Sequence, residues 1–385
     1  MVQVFDKNNI DQLNWADFEH GKELESYWKK AVVNGIEYLI KGASQAAGVL
    51  AIGNQLLPLV INDGNQTKNQ SYVVSNLSQY FDYSREEILK GEKYGKSEKA
   101  AAKWLFPIAR SAAKFMGFEK VVYVNNWLFS GNLYPEIDTS LLAKAIEKIK
   151  LHYPDYAIVF RSIDESGTPN LFEGLKHNGC QSLSARLLYY LDFEETNIKK
   201  KRPLQQDIKR WQKQVDFTEK SIEKLDSQTL ERVKELYTKL YLDKHSAYNP
   251  NYTNEMVDGL FKSGLLNFSG IYLEEELSAI QLIWKRNEVV TTPFIGYDQD
   301  LPREQSPYRH MNVVLTQFAQ ENDCLLNMSS GADAFKKQRG GEPVFEYNMV
   351  YYAHLSGFRK LIWKFMIWLG ENFIQKQMAS SFNEK

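Results

Sequence analysis

Two cysteines in 385 residues, Cys180 and Cys324, leave nothing from which to build a disulfide framework or a thiolate metal site. Each lies in an apolar segment, the setting of a buried free thiol in a reducing cytoplasm. An excess of one charge is also missing. The 47 Lys and Arg nearly balance 48 Asp and Glu, for a formal net charge of -1, which excludes a chain whose main business is wrapping nucleic acid and leaves room only for local basic patches. Long apolar runs are absent too. SQAAGVLAIGNQLLPLVI is interrupted by Gln45, Asn54, Gln55 and Pro58, too often for a membrane span, and the start MVQVFDKNNID has acids but no apolar core of a signal peptide. The expectation is a soluble, cytoplasmic protein. No Gly-x-Ser-x-Gly elbow occurs, and the six histidines show no metal-ligand spacing. No metal is expected.

What is present is an α/β pattern that runs through the chain twice. In the first half QSYVVSNLSQYFDYS reads as a strand, KSEKAAAKWLFPIARSAAKF as a helix and KVVYVNNWLF as a strand. TSLLAKAIEKIKLHYP reads as a helix capped by Thr139, DYAIVFRSID as a strand, NLFEGLKHNGC as a helix closed by Gly179, and QSLSARLLYYLDF as a strand. In the second half DSQTLERVKELYTKLYLDK and TNEMVDGLFKSG read as amphipathic helices, and FSGIYLEEELSAIQLIWKRNEVVTTPFIGYD as three strands. SPYRHMNVVLTQFAQEND follows as a helix with Ser306 as cap and Pro307 at its first position. CLLNMSS and VFEYNMVYYAHL are strands, and NMSSGADAFKKQRGGEP is the loop between them. The implied organisation is a domain over 1–196, a basic connector over 197–215, a second domain over 216–357 that is expected to carry the active site, and an amphipathic C-terminal helix over 358–385.

The stretches TTPFIGYD, SPYRHMNVVLTQFAQENDCLLNMSSGADAFKKQRGG and EPVFEYNMVYYAHL resemble the Gcn5-related N-acetyltransferase (GNAT) superfamily, specifically its tandem branch of FemAB peptidoglycan peptidyltransferases and CelD-like proteins. The resemblance covers roughly the last 120 residues and, more faintly, VVYVNNWLFSGNLYP to RLLYYLDF in the first half. It implies two tandem GNAT-like domains, each a mixed twisted sheet flanked by helices. In such a fold two parallel strands splay apart and an extended pantetheine arm can bond the freed backbone, while the following helix aims its N–H groups at a phosphate. REQSPYRHMN contains no glycine, so its backbone cannot approach a pyrophosphate closely. That fits donors with fewer phosphate contacts, an acyl group on carrier protein rather than acyl-CoA, or aminoacyl-tRNA as in the FemAB relatives. Either could dock by charge on NIKKKRPLQQDIKRWQKQ, which is equally a solvated basic linker.

The chemistry implied is direct attack of a primary amine on a thioester or ester, needing a base, an oxyanion site and an acid for the leaving group. His245, in LDKHSAYNPNYT, is the first candidate base because its ordinary pKa lies nearest neutrality, Asp298 is the second, and Tyr308 is the candidate acid. Ser306 and Arg309 at the helix start, with Ser329, Ser330, Gly331, Lys336 and Arg339, are expected to hold the donor at the rim of a cleft. Tyr248, Asn249 and Glu346 are the acceptor candidates. The sequence thus reads as an N-acyltransferase carrying a fatty or other acyl group from acyl-CoA or acyl carrier protein to an amino acid, a polyamine or a Lys or Orn side chain. Alternatives are aminoacyl transfer from tRNA, the one role left to nucleic acid, and a non-catalytic lipid- or peptide-binding module. The tail FRKLIWKFMIWLGENFIQKQM reads either as a helix packed on the second domain or as one resting on the inner membrane.

Overall fold

In the computed structural model the described residues are all but 67–69, 93, 303, 304, 306, 384 and 385, with side chains described through 379. Twelve strands are described: β1 (Val2–Phe5), β2 (Ala46–Ile52), β3 (Gln55–Asn62), β4 (Val121–Val124), β5 (Ala157–Ile163) and β6 (Gln181–Leu191) in the first half, then β7 (Phe217–Ser221), β8 (Asn267–Leu273), β9 (Glu276–Arg286), β10 (Val289–Tyr297), β11 (Leu325–Asn327) and β12 (Glu342–Tyr351). The helices of the first half are α1 (Gly21–Asn34), α2 (Ser84–Lys90), α3 (Lys96–Phe115), α4 (Leu142–His152) and α5 (Pro169–His177). Then come α6 (Arg202–Lys213), α7 (Ser227–Thr238), α8 (Asn254–Ser263), α9 (Pro307–Glu321), α10 (Asp333–Gln338), α11 (Gly357–Leu369) and α12 (Gln375–Asn383).

All twelve strands form one mixed sheet in the order β1-β2-β3-β4-β5-β12-β6-β11-β10-β9-β8-β7. Read inward from either edge, the order is the same. Four antiparallel strands lead to a parallel step, β4 on β5 at one side and β10 on β11 at the other, and then to the last strand of the opposite half. The chain is therefore two tandem units of one topology, each a mixed sheet flanked by helices, that exchange their final strands at the centre. The exchange is held by the antiparallel pairing of β12 with β6, from Glu342↔Tyr190 to Val350↔Gln181, and of β12 with β5.

Several sequence expectations change in the fold. QSYVVSNLSQYFDYS is not a strand: it is a turn followed by a π-helical segment, Ser78–Tyr83, whose Tyr80 and Phe81 pack on Phe118. Its aromatic content, which suggested a strand, serves core packing instead. KVVYVNNWLF is extended only as far as Val124, because Asn125 turns into the left-handed region at φ 56°. The capping side chain is Asp138 rather than Thr139: it accepts from the Ser140 amide at the start of a 3-10 turn, Thr139–Leu141, that leads into α4. The loop before β12 contains α10. The basic connector is largely helical, and α6 buries Leu204 and Asp207 beneath its exposed cations. The C-terminal helix α11 packs over the first half, with Trp363 4.6 Å from Phe118, rather than on the second. Burying aromatics of this size contributes on the order of 2–3 kcal/mol each, so this contact fixes the tail firmly.

Candidate active site

The two parallel steps are the places where this sheet can open, and their fates differ. In the first half β4 ends at Val124 while β5 runs on to Ile163, but the chain itself fills the gap. Buried Asn126 donates to the Val73 carbonyl at 2.8 Å, and the buried Arg161 guanidinium donates to the same carbonyl at 2.8 Å and to Asn126 Oδ1 at 3.1 Å. In the second half β10 pairs with β11 only over Val289–Thr291, opposite Leu325–Asn327, and then continues to Tyr297 through a bulge between Thr291 and Phe294. Nothing comparable to the asparagine turn occupies that gap among the described residues. It opens into a cleft of ≈ 1370 Å³.

Both halves build the walls of this cleft. Residues 130–140 and the turn and helix start at 164–171 come from the first unit, residues 286–293 and the end of β11 from the second, and Arg186, Tyr190 and Glu346 rise from the exchanged strands. Two charged groups in the floor neutralise each other: Arg186 donates through Nε at 2.6 Å and Nη2 at 2.7 Å to the Glu346 carboxylate. The bidentate geometry makes this a strong, oriented pair, and it keeps both side chains in one place.

Beside it runs a chain of polar groups. Asp164 Oδ1 accepts from the Ser166 and Gly167 amides at 2.9 and 2.6 Å, and its Oδ2 accepts from the Tyr190 hydroxyl at 2.9 Å. That hydroxyl in turn accepts from Asn327 Nδ2 at 2.9 Å, and Asn327 Oδ1 accepts from the Ser329 amide at 2.8 Å. Burial pushes the Asp164 carboxyl up to about 6, against the opposing pull of the Gly167 amide and the Tyr190 hydroxyl. The approach of Tyr190 depends on Gly167, where a Cβ would lie 2.5 Å from the phenol oxygen. On the far wall Arg286 stands over the Trp127 ring at 5.3 Å, its Nη1 without a protein partner.

The expected site residues do not converge. Glu346 and Ser329 line this cleft; His245, Asp298, Tyr308, Tyr248 and Asn249 do not. His245 stands at the end of a π-helical turn, Lys239–His245, where partial desolvation of the ring, and then the like charges of Lys244 and Lys90, pull its pKa down. Asp298 is held by Arg232 at 2.9 Å, and Tyr308 is packed between Tyr297 and Phe335. Asn249 donates to the carbonyls of Tyr241 and Ser246, tying a turn, and Tyr248 follows Ser246 in the same turn. Lys336 and Arg339 are not at a rim. Lys336 is buried and donates to the Ser329 and Ser330 carbonyls at 3.0 and 2.7 Å, and burial brings its ammonium down to about 7. Arg339 is buried against Asp207 of α6 at 2.6 Å, with Arg309 3.8 Å from the same carboxylate. The stretch with Gly331 is thus a structural clasp that pins α6 to α10. Ser306 lies outside the described residues.

The sequence reading passed over Asp164, Tyr190, Asn327 and Arg186. One signal was available. An arginine within LSARLLYYL and a glutamate within VFEYNMV are charges inside apolar strands, which buried backbone tolerates only when they are paired.

No family model matches the chain, and no curated protein matches it. Among solved structures, FemX superimposes with a TM-score of 0.51 at 9% identity, covering 89% of this chain and 93% of that one. A tandem GNAT protein from the clavulanic acid biosynthesis pathway covers 93% of this chain and 99% of its own at 10% identity, TM-score 0.38. L-PGS from Bacillus licheniformis covers 60% of this chain and 79% of its own at 16% identity, TM-score 0.45. The likeness to FemX spans most of both chains and is a likeness of fold, to which the two tandem units with their mirrored strand order belong.

Proposed function

We propose that this chain is an N-acyltransferase whose reaction takes place in the central cleft, where the parting of β10 from β11 meets the Asp164–Tyr190 pair. The observation that carries the reading is this coincidence: an open strand edge able to bond an extended acyl donor, and beside it a buried carboxylate hydrogen-bonded to a phenol. The acceptor amine attacks the carbonyl carbon of the donor thioester. Its ammonium proton passes through the Tyr190 hydroxyl or water to Asp164, the C–S bond breaks, and the thiolate leaves with a proton from solvent. Asn327, by donating to Tyr190, keeps the phenol proton directed at Asp164. Ser329 and Glu346 remain in the site, Glu346 through Arg186 rather than as a free carboxylate for an amine. The donor is an acyl thioester, on coenzyme A or on an acyl carrier protein.

One observation leaves room for a second donor, aminoacyl-tRNA. On α6 and just before it, Lys199, Lys200, Arg202, Lys209, Arg210 and Lys213 are exposed, and the helix is clamped in place by Asp207 and Arg339. A rigid basic face suits a phosphate backbone or an acidic carrier protein equally.

The test is intact-mass measurement of amino acids, polyamines and a Lys- or Orn-containing peptide after incubation with acyl-CoA, acyl carrier protein and charged tRNA in parallel. Mass gain with one donor, reduced ~100-fold or more in Asp164→Asn and Tyr190→Phe, is the expected result. Mass gain that survives both substitutions would remove the base assignment, and no gain with any donor would leave a lipid- or peptide-binding module.

A further inference from the structure

Four large apolar side chains of α3 stand in solvent: Trp104, Leu105, Ile108 and Phe115, the last 92% exposed. This is the second apolar face of the helix, since Ala102 and Ala113 are buried on the first and Phe106 packs on Phe81. The C-terminal helix repeats the pattern. While Ile362, Trp363, Met366 and Ile367 are buried, Phe358, Leu361, Phe365 and Trp368 form an exposed stripe at helical spacing, continued by Phe373 against Trp368. Other exposed large hydrophobics among the described residues, Met1, Val33, Leu151 and Val215, are scattered singly, which is ordinary for a soluble surface.

The end of α3 meets the start of α11. Gly117, just past α3, approaches the Arg359 side chain, and Phe118 packs on Trp363. The charges on the two helices are mainly positive: α11 carries Arg359, Lys360 and Lys364 and no acid, with Glu371 just after it, and α3 carries Lys96, Lys99, Lys103 and Lys114 against Glu98, its Arg110 being paired with Asp82. Tryptophan and phenylalanine ringed by lysine match the boundary between headgroups and acyl chains of an anionic bilayer. A second copy of the chain fits less well, because joining two such faces would bring lysine against lysine. Among the described residues no helix is long and apolar enough to cross a membrane, so the contact is interfacial.

We infer that α3 and α11 together form a docking face for an anionic lipid surface. Gly370, just past α11, packs against Ser184 of β6, two residues before Arg186 in the cleft floor. The inference does not depend on which donor the site uses.

The test is flotation of the intact chain with vesicles of phosphatidylglycerol and phosphatidylcholine, and with vesicles of phosphatidylcholine alone. Expected are binding to the anionic vesicles, a blue shift of tryptophan emission, and weakening as salt is raised. Phe365→Ser with Trp368→Ser, and separately Trp104→Ser with Ile108→Ser, should each weaken binding ~tenfold or more, since each removes two large apolar side chains from the interface. Lys360→Glu with Lys364→Glu should weaken it without altering thermal unfolding. The inference is overturned if the intact chain ignores both vesicles, if all three variants bind as well as the parent, or if sedimentation shows a dimer that the apolar variants abolish while vesicle binding is absent.

Discussion

Replacing Asp164 by Asn tests the electrostatics of the cleft independently of any substrate. The carboxyl is raised from its ordinary 3.8 to about 6, burial being the largest cause, so the ionised form is disfavoured in the folded state by ~3 kcal/mol. The sign follows from proton counting. Below 3.8 the group is protonated folded and unfolded, and there is no cost. Between 3.8 and about 6 the folded state keeps a proton that the unfolded state has lost, so stability falls as pH rises; above about 6 the whole cost is present. Asparagine is neutral throughout. It still accepts from the Ser166 and Gly167 amides but cannot take the Tyr190 proton, a pH-independent loss of ~1 kcal/mol. Urea unfolding followed by tryptophan fluorescence should therefore show the variant gaining on the parent by ~3 kcal/mol between about pH 4 and about pH 7. A difference that stays constant over that range would refute the claim that a strained carboxylate sits beside Tyr190. The same titration sets the activity profile: with Asp164 as base, acyl transfer should rise with pH through about 6.

Two further substitutions address how the site is held. Arg339→Ala leaves the Asp207 carboxylate buried without its close partner, and should cost ~3–5 kcal/mol in urea unfolding; Arg339→Met combined with Asp207→Leu should recover most of that loss, because the second change removes the stranded charge. Gly296→Ala would place a Cβ 2.6 Å from the backbone of Leu236 and Tyr237 in α7. Since backbone cannot rotate aside, the strand and helix must part, at a cost of ~1–3 kcal/mol by the same measurement; an unchanged midpoint would mean that α7 does not rest on β10 at Gly296.

Much of the scaffold was legible because its signals are local. Helix α3 is found where alanines and charges recur at helical spacing, over Lys96–Phe115, and the paired strands β9 and β10 where β-branched residues flank the Asn287 turn. The segment Ser78–Tyr83 misled for the same reason: its tyrosine and phenylalanine are strand formers by preference, yet their burial against Phe118 outweighs that preference. The repeated order of elements pointed to two related units, and the mirrored strand order bears this out.

The site was less legible, because its members come from separate places in the chain. Lys336 and Arg339 suggested an anion cleft by composition, but a cation's role depends on what faces it: here Asp207, more than a hundred positions upstream, and two carbonyls of its own loop. His245 looked suitable by its ordinary pKa and lies outside the cleft.

By itself the sequence determined the α/β class, the duplication, the lack of disulfide or metal-ligand patterns and most helices and strands, since each follows from periodicity and composition over a dozen residues. Tertiary structure alone decided that the two units exchange their last strands, that one parallel step is plugged by Asn126 and Arg161 while the other opens, and that Asp164, Tyr190 and Asn327 meet. Those are matters of which distant segments share a sheet, and hydrogen bonds between strands record no partner in the sequence of either one.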